Sequence, residues 1–489
     1  MTHLPDALLT INGALRPAEG GKTYDVIGPW IGAPVGQAAD ASAADVDAAI
    51  AAARRAFDHT DWSTNVAKRV DLVTKLRALF ECDRERLGML ARVEAGAAIG
   101  AVSRAHVDMA LAGWDDYLKV FPGIAWEKDY GGREGYGFVS QRRAVYEPIG
   151  VVAAITPWNV PLYVNVGKVV AALLAGCTVI LKPAPNTPGM GAIFGELAIE
   201  AGFPAGVVQV VFGEDPALAG EMLVHDPRVD LISFTGSTGV GRRIMEQGAA
   251  TLKRVFLELG GKSAKIVLDD APNFAMEVAS TMLVFHAGQG CAVQSRLLVP
   301  RSRYEEAKAI LKHAYASFGD NWGDFDNPAH IMGPVVSKRQ QDRVMSYIEL
   351  GQQEGATLLA GGKVRPDKGN GFFIEPTCFV DVTNTMRIAQ EEIFGPVLSV
   401  IAFEDDDDAV RIANESEYGL SGGISSGDFD RAMAVAKRIR SGTISVNGGM
   451  CIAGDLPFGG YKASGIGREW GLEGIEEFLE TKLIAWREA

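Results

Sequence analysis

Of the five cysteines in the chain, Cys291 stands out because it directly follows the bare run Gly288-Gln289-Gly290 in FHAGQGCAVQSR, Phe285 to Arg296. A structural thiol hides among packed apolar side chains. One beside pliable glycines is reachable, and a reachable thiolate is a nucleophile. Glu258 closes an apolar run in RVFLELGGKSAKIV, just before Gly260-Gly261. A carboxylate against apolar walls keeps its proton to higher pH, which suits a general base near neutrality; a strand-end glutamate facing water is the plain alternative. Asn159 in ITPWNVPLYVNVGK lies between Pro157 and Val160-Pro161. Prolines on both sides fix the backbone, so its amide either holds an oxyanion or caps a turn. FTGSTGVGRRI, Phe234 to Ile244, offers Gly236, Gly239 and Gly241 where a strand gives way to a helix. Free N–H groups there could cradle a phosphate, but the spacing is not GxGxxG, and a glycine turn without a ligand explains it equally well.

The elements that must position these residues alternate. GVVAAITP, CTVILKP, GVVQVVFG and DLISFTG read as strands, and helices fit 162–175, 188–201 and 240–247. Such alternation predicts βαβ units and a parallel sheet covered on both faces, which binds ligands beyond its strands' carboxyl ends. Residues 40–118 have helical periodicity, and YGFVSQRRAVYEP, Tyr136 to Pro148, alternates like an arm or edge strand. A second α/β region begins near Ser263, with helices over 303–318 and 338–354. The run Glu404 to Asp408 reads as a solvated helix N-terminus rather than a metal site.

A chain of 489 residues with 47% hydrophobic content predicts two or three domains with sizeable cores. The formal charge of −14 argues against nucleic acid and anionic membranes as partners. No two cysteines are spaced as a CxxC pair, so reduced thiols in a cytoplasm fit best and no metal is expected. The N-terminus carries no visible secretory signal. Val169 to Leu181, the most apolar run, falls short of the ~20 residues of a membrane span and reads as a buried helix followed by a strand.

The set ITPWN, FTGSTGVG, LELGGK, GQGC, EEIFGP and PFGGYKASGIGRE resembles the aldehyde dehydrogenase superfamily over essentially the whole chain. The resemblance implies a Rossmann-like parallel-sheet cofactor domain (1–125 and 149–260), a second α/β catalytic domain (261–460) and a small β oligomerisation arm (126–148 and 477–489). It implies oxidation of an aldehyde to the acid by a non-acylating enzyme, through a cysteine thiohemiacetal and thioester, in a homodimer or homotetramer. Cys291 falls on the nucleophile, Glu258 on the general base, Asn159 on the oxyanion amide and Lys168 on a lysine assigned to proton relay. Cofactor contacts fall on Ile155, Trp158, Lys182, Pro185, Gly236, Ser237, Val240, Leu259, Glu392 and Phe394. The substrate tunnel falls on Val160, Tyr163, Gly167, Gly290, Ala292, Ile452 and Phe458, with Asn447 bordering it.

Some positions depart from the family pattern. Pro185 replaces a glutamate frequent in members that prefer NAD; NAD stays ahead and NADP stays open. His286 replaces a common asparagine, with a space-filling ring favoured over a new catalytic acid, and Val293 replaces a common alanine. Val160 and Gly167 stand where many relatives carry Phe and Trp, and Tyr163 where a smaller aliphatic is frequent. The balance predicts a roomier mouth and a bulky or aromatic aldehyde. Coenzyme A-acylating relatives often lack the equivalent of Glu258, a cysteine hydrolase would need an oriented histidine beside Cys291, and a non-catalytic scaffold would not need Cys291, Glu258 and Asn159 together.

Overall fold

The computed structural model describes residues 3–101 and 106–488; Met1, Thr2, 102–105 (inside the helical reading of 40–118) and Ala489 lie outside the described residues. Among the described residues the chain forms four sheets, the smallest a two-stranded pair of Thr23–Gly28 with Ala33–Ala39. The first has eight strands, and its five central ones are parallel, in the order Val208–Val210, Thr178–Lys182, Val151–Ile155, Leu231–Thr235, Arg254–Glu258. Every residue of VVAAI, TVILK and LISFT is buried, as strands covered on both faces must be. Leu9–Ile11 adds antiparallel on one side, with Ala14–Arg16 beyond it at the edge, and Gly465–Ile466 forms the other edge, pairing Gly465 with Glu258.

The helix Pro161–Ala175 is buried along its whole length, with Pro161 in its first turn. It ends at Gly176, whose φ of +105° lets its N–H reach the carbonyls of Ala172 and Leu173. A Cβ there would lie 2.8 Å from Pro148. The expected helices are present as Pro161–Ala175, Pro188–Ala201, Thr238–Gly248, Tyr304–Phe318 and Lys338–Gln353. Asp405 caps the helix Asp406–Asn414 by accepting the Asp408 N–H.

The second sheet has seven strands, with Val397–Phe403, Arg296–Pro300, Ala264–Val267 and Gly422–Ser425 running parallel at its centre. Chain returning after this sheet, from Tyr461 onward, supplies the Gly465–Ile466 edge strand of the first. In the third sheet Leu479–Arg487 pairs antiparallel with Phe138–Pro148 from Leu479↔Pro148 to Arg487↔Ser140. All of the C-terminal strand after Leu479 is exposed.

Candidate active site

The parallel register aligns the candidate residues along one edge. Ile155 is level with Lys182 and Phe234, and Thr235 with Glu258. These are the carboxyl ends of four adjacent strands, where parallel sheets bind ligands.

At this edge Ser237 caps the helix Thr238–Gly248, its Oγ accepting the Val240 N–H at 3.4 Å. The N–H groups of Thr238 and Gly239 donate to no acceptor among the described residues, and nothing lies within 4 Å of a Cβ built on Gly239. A Cβ on Gly241 would meet the Leu259 side chain at 2.6 Å, so this glycine lets the helix close on the strand end. Val240 is exposed, while Gly236 packs against the Phe234 ring. Lys182 is buried without an ion pair among the described residues, and burial lowers its ammonium to about 8. The Pro185 carbonyl accepts the Tyr24 hydroxyl at 3.3 Å. Glu392 accepts the Gly261 N–H at 2.9 Å, and burial raises its carboxyl to about 7. Phe394 adopts a φ of +60° and meets Trp158 edge-to-face at 5.3 Å. Open N–H donors flanked by a buried lysine and a backbone-held glutamate fit a dinucleotide: phosphate at the helix start, ribose hydroxyls at Lys182 and Glu392.

Cys291 is half-buried, with Glu258 among the groups acting on its thiol; burial first and Glu258 second push that thiol well up. Glu258 is buried, and burial, then the charge of Glu469, raise it to about 8. Its Oε1 has no partner among the described residues. Asn159 Nδ2 donates one hydrogen to the Gln289 carbonyl at 3.1 Å, leaving its second N–H. The Cys291 N–H is likewise uncommitted among the described residues. Gly261 is needed for close approach, since a Cβ there would lie 2.4 Å from the Cys291 carbonyl oxygen. Lys168 is buried and donates to Glu469 Oε1 at 2.5 Å and to Ser233 Oγ at 3.1 Å.

The tunnel residues differ from expectation at one point. A Cβ on Gly167 would lie 3.1 Å from the Trp470 indole, so the space freed at 167 is filled from the far end of the chain. Gly167 therefore does not widen the mouth. The Trp470 ring lies between Tyr163, at 4.4 Å, and Tyr117, at 4.9 Å. The Tyr117 hydroxyl accepts the Trp470 N–H and donates to the Gly167 carbonyl, both at 3.0 Å. Val160, Cys291, Ala292 and Ile452 are each half-buried against the same apolar cluster, which also contains Phe458. A Cβ on Gly290 would touch only Val293. Asn447 accepts the Ser426 N–H through Oδ1. His286, at a φ of +46°, is buried edge-to-face against His106 at 4.6 Å, and burial lowers it to about 4.

Sequence reasoning missed three contributors. Glu469 lies inside the quoted PFGGYKASGIGRE motif and is placed by paired N–H···O bonds with Phe458, which no local pattern announces. Gln289 sits inside GQGC, yet its side chain reaches the Val336 N–H at 2.9 Å and ties the cysteine loop to the second sheet's domain. Trp470 carried no signal except that a tryptophan follows Arg468-Glu469.

Comparison with known proteins agrees with this geometry. The aldehyde dehydrogenase family model matches residues 15–484. A Pseudomonas 3-succinoylsemialdehyde-pyridine dehydrogenase is 40% identical, covering 97% of this chain and 97% of its own. Among solved structures, a cysteine-to-alanine variant of aldehyde dehydrogenase C from Pseudomonas syringae, complexed with NAD+ and octanal, has a TM-score of 0.91 and 37% identity, covering 98% of this chain and 96% of its own. A Mycobacterium tuberculosis aldehyde dehydrogenase complexed with NAD+ has a TM-score of 0.93 and 38% identity over 99% and 98%.

Proposed function

This chain belongs to the aldehyde dehydrogenase family, and from that premise we propose that Cys291, Asn159 and Glu258 oxidise an aldehyde to its carboxylate with NAD as acceptor. The supporting observation is that the thiol, an amide with a spare N–H and a buried carboxyl converge at the sheet edge.

Cys291 Sγ bonds to the aldehyde carbon and its proton passes to Glu258, the acidic group beside it. The carbonyl oxygen becomes an alkoxide, held by the second Asn159 N–H and the Cys291 backbone N–H. Lys182, Glu392 and the Ser237 helix start would hold NAD, which would supply the acceptor for the hydride leaving this carbon. The carbon is then a thioester on Cys291. Glu258 releases that first proton to solvent, takes a second from water whose oxygen attacks the thioester, and returns it to Cys291 Sγ as the carboxylic acid leaves. The Lys168–Glu469 pair borders the base: Glu469 raises its pKa and Lys168 lowers it, so together they set its proton affinity.

Tyr163, stacked on Trp470 and close enough to Cys291 for the thiol's charge to act on its hydroxyl, offers a flat wall to a bulky or aromatic aldehyde. Leu483, Ile484 and Trp486, exposed on the C-terminal strand, support pairing of copies through the arm as a homodimer or homotetramer. Five unpaired cysteines support a cytoplasmic setting. The test mixes purified protein with NAD and an aldehyde panel and follows reduced cofactor by absorbance. Cys291→Ala should give no signal; an undiminished one refutes the nucleophile. A much higher kcat/KM for acetaldehyde than for benzaldehyde or octanal refutes the substrate class.

A further inference from the structure

A small, partly open cavity lies beside Lys262 in the second α/β region. Lys262, Ser263, Arg296, Tyr418, Arg440 and Ser441 are among its lining residues, and it leaves ≈ 20 Å³ for the centres of water-sized atoms. That suffices for one water or one ion of similar size. Three lining side chains are cationic and none is acidic.

The charges are also uncompensated by contact. Lys262 is 2% exposed, makes no ion pair among the described residues, and its Nζ has no hydrogen-bond partner among them. Arg296, equally buried, spends its donors on neutral acceptors: Nε on the Lys262 carbonyl at 2.9 Å, Nη1 on Asn384 Oδ1 and the Ile412 carbonyl, Nη2 on the Ala413 carbonyl, each at 3.0 Å. The Ser263 and Ser441 hydroxyls likewise lack partners among the described residues. A buried cation without a counter-charge is costly, as is each unmade hydrogen bond. Glu391 and Glu392 act on Lys262 only from beyond ion-pair distance.

We propose that this cavity is a halide site, in which one chloride accepts hydrogen bonds from Lys262 Nζ and the Ser263 and Ser441 hydroxyls within the positive field of Arg296 and Arg440. A single anion would satisfy three orphan donors and one buried charge together. The site is independent of the dehydrogenase reaction, so neither stands or falls with the other.

The direct test is diffraction from crystals of the full chain soaked in sodium bromide. An anomalous peak within hydrogen-bond distance of Lys262 Nζ is expected, and its absence overturns the proposal in favour of a water beside a neutral lysine. In solution, the apparent Tm should rise and saturate as chloride replaces gluconate at constant ionic strength. That rise should vanish in Lys262→Met and weaken in Ser441→Ala, while Lys338→Met, at an exposed lysine, keeps it. A rise of equal size in Lys262→Met refutes the site, and if that variant does not fold, Ser441→Ala and the bromide map decide.

Discussion

Glu258 lets the mechanism be tested quantitatively through pH. Its carboxyl is raised to about 8, by burial first and by Glu469 second. A general base works only when ionised, so its activity must rise as pH climbs through that value. At pH 7 about one tenth of such a group is ionised and at pH 9 about nine tenths, so base-limited turnover should increase roughly ninefold. In Glu258→Gln the amide fills the same space but accepts no proton, and kcat should fall by ~10²–10⁴. The assay is steady-state kcat with NAD and a saturating aldehyde from pH 6 to 10, with rapid mixing to separate the first turnover from the rest. The pH step should disappear in the variant. A flat wild-type profile, or a variant within tenfold of wild type at pH 9, would refute the assignment of Glu258 as the base.

Other expectations concern the same neighbourhood and its supports. Asn159→Ala should lower kcat by ~10²–10³ with a smaller change in KM, since the amide acts on the oxyanion rather than on the bound aldehyde. Trp470→Ala empties the space between Tyr117 and Tyr163 and should cost about 3–5 kcal/mol in denaturant unfolding. Because position 470 has a φ of +64°, Trp470→Gly should be roughly 1 kcal/mol less damaging than Trp470→Ala. Glu94 is buried at the start of Pro188–Ala201, accepts the Gly189 and Met190 N–H groups, and is raised to about 8 by burial. Its contribution is fully present below the ordinary carboxyl pKa and is lost as pH rises through 8. Between pH 6 and 9 the wild type should therefore lose about 2–3 kcal/mol that Glu94→Gln does not lose; equal pH dependence in both proteins would refute this.

What the sequence alone determined is what local chemistry can express. The strands at Val151–Ile155 and Thr178–Lys182 were legible as apolar runs, and the helix Pro161–Ala175 as the helical stretch expected over 162–175. Cys291 was legible because pliable glycines precede it, and Asn159 because prolines fix the backbone on both sides. Tertiary structure decided what depends on residues far apart. The Lys168–Glu469 pair joins positions 301 apart in the chain, so no window of sequence contains it. Gly167 read as space because a side chain's absence is local, whereas the Trp470 ring that fills it arrives from the far end of the chain. His286 read as a ring in place of an amide, but its partner His106 became visible only when two separate segments packed. The raised pKa of Glu258 likewise could be anticipated only in direction, because its size comes from the burial and the neighbouring Glu469 charge that folding assembles.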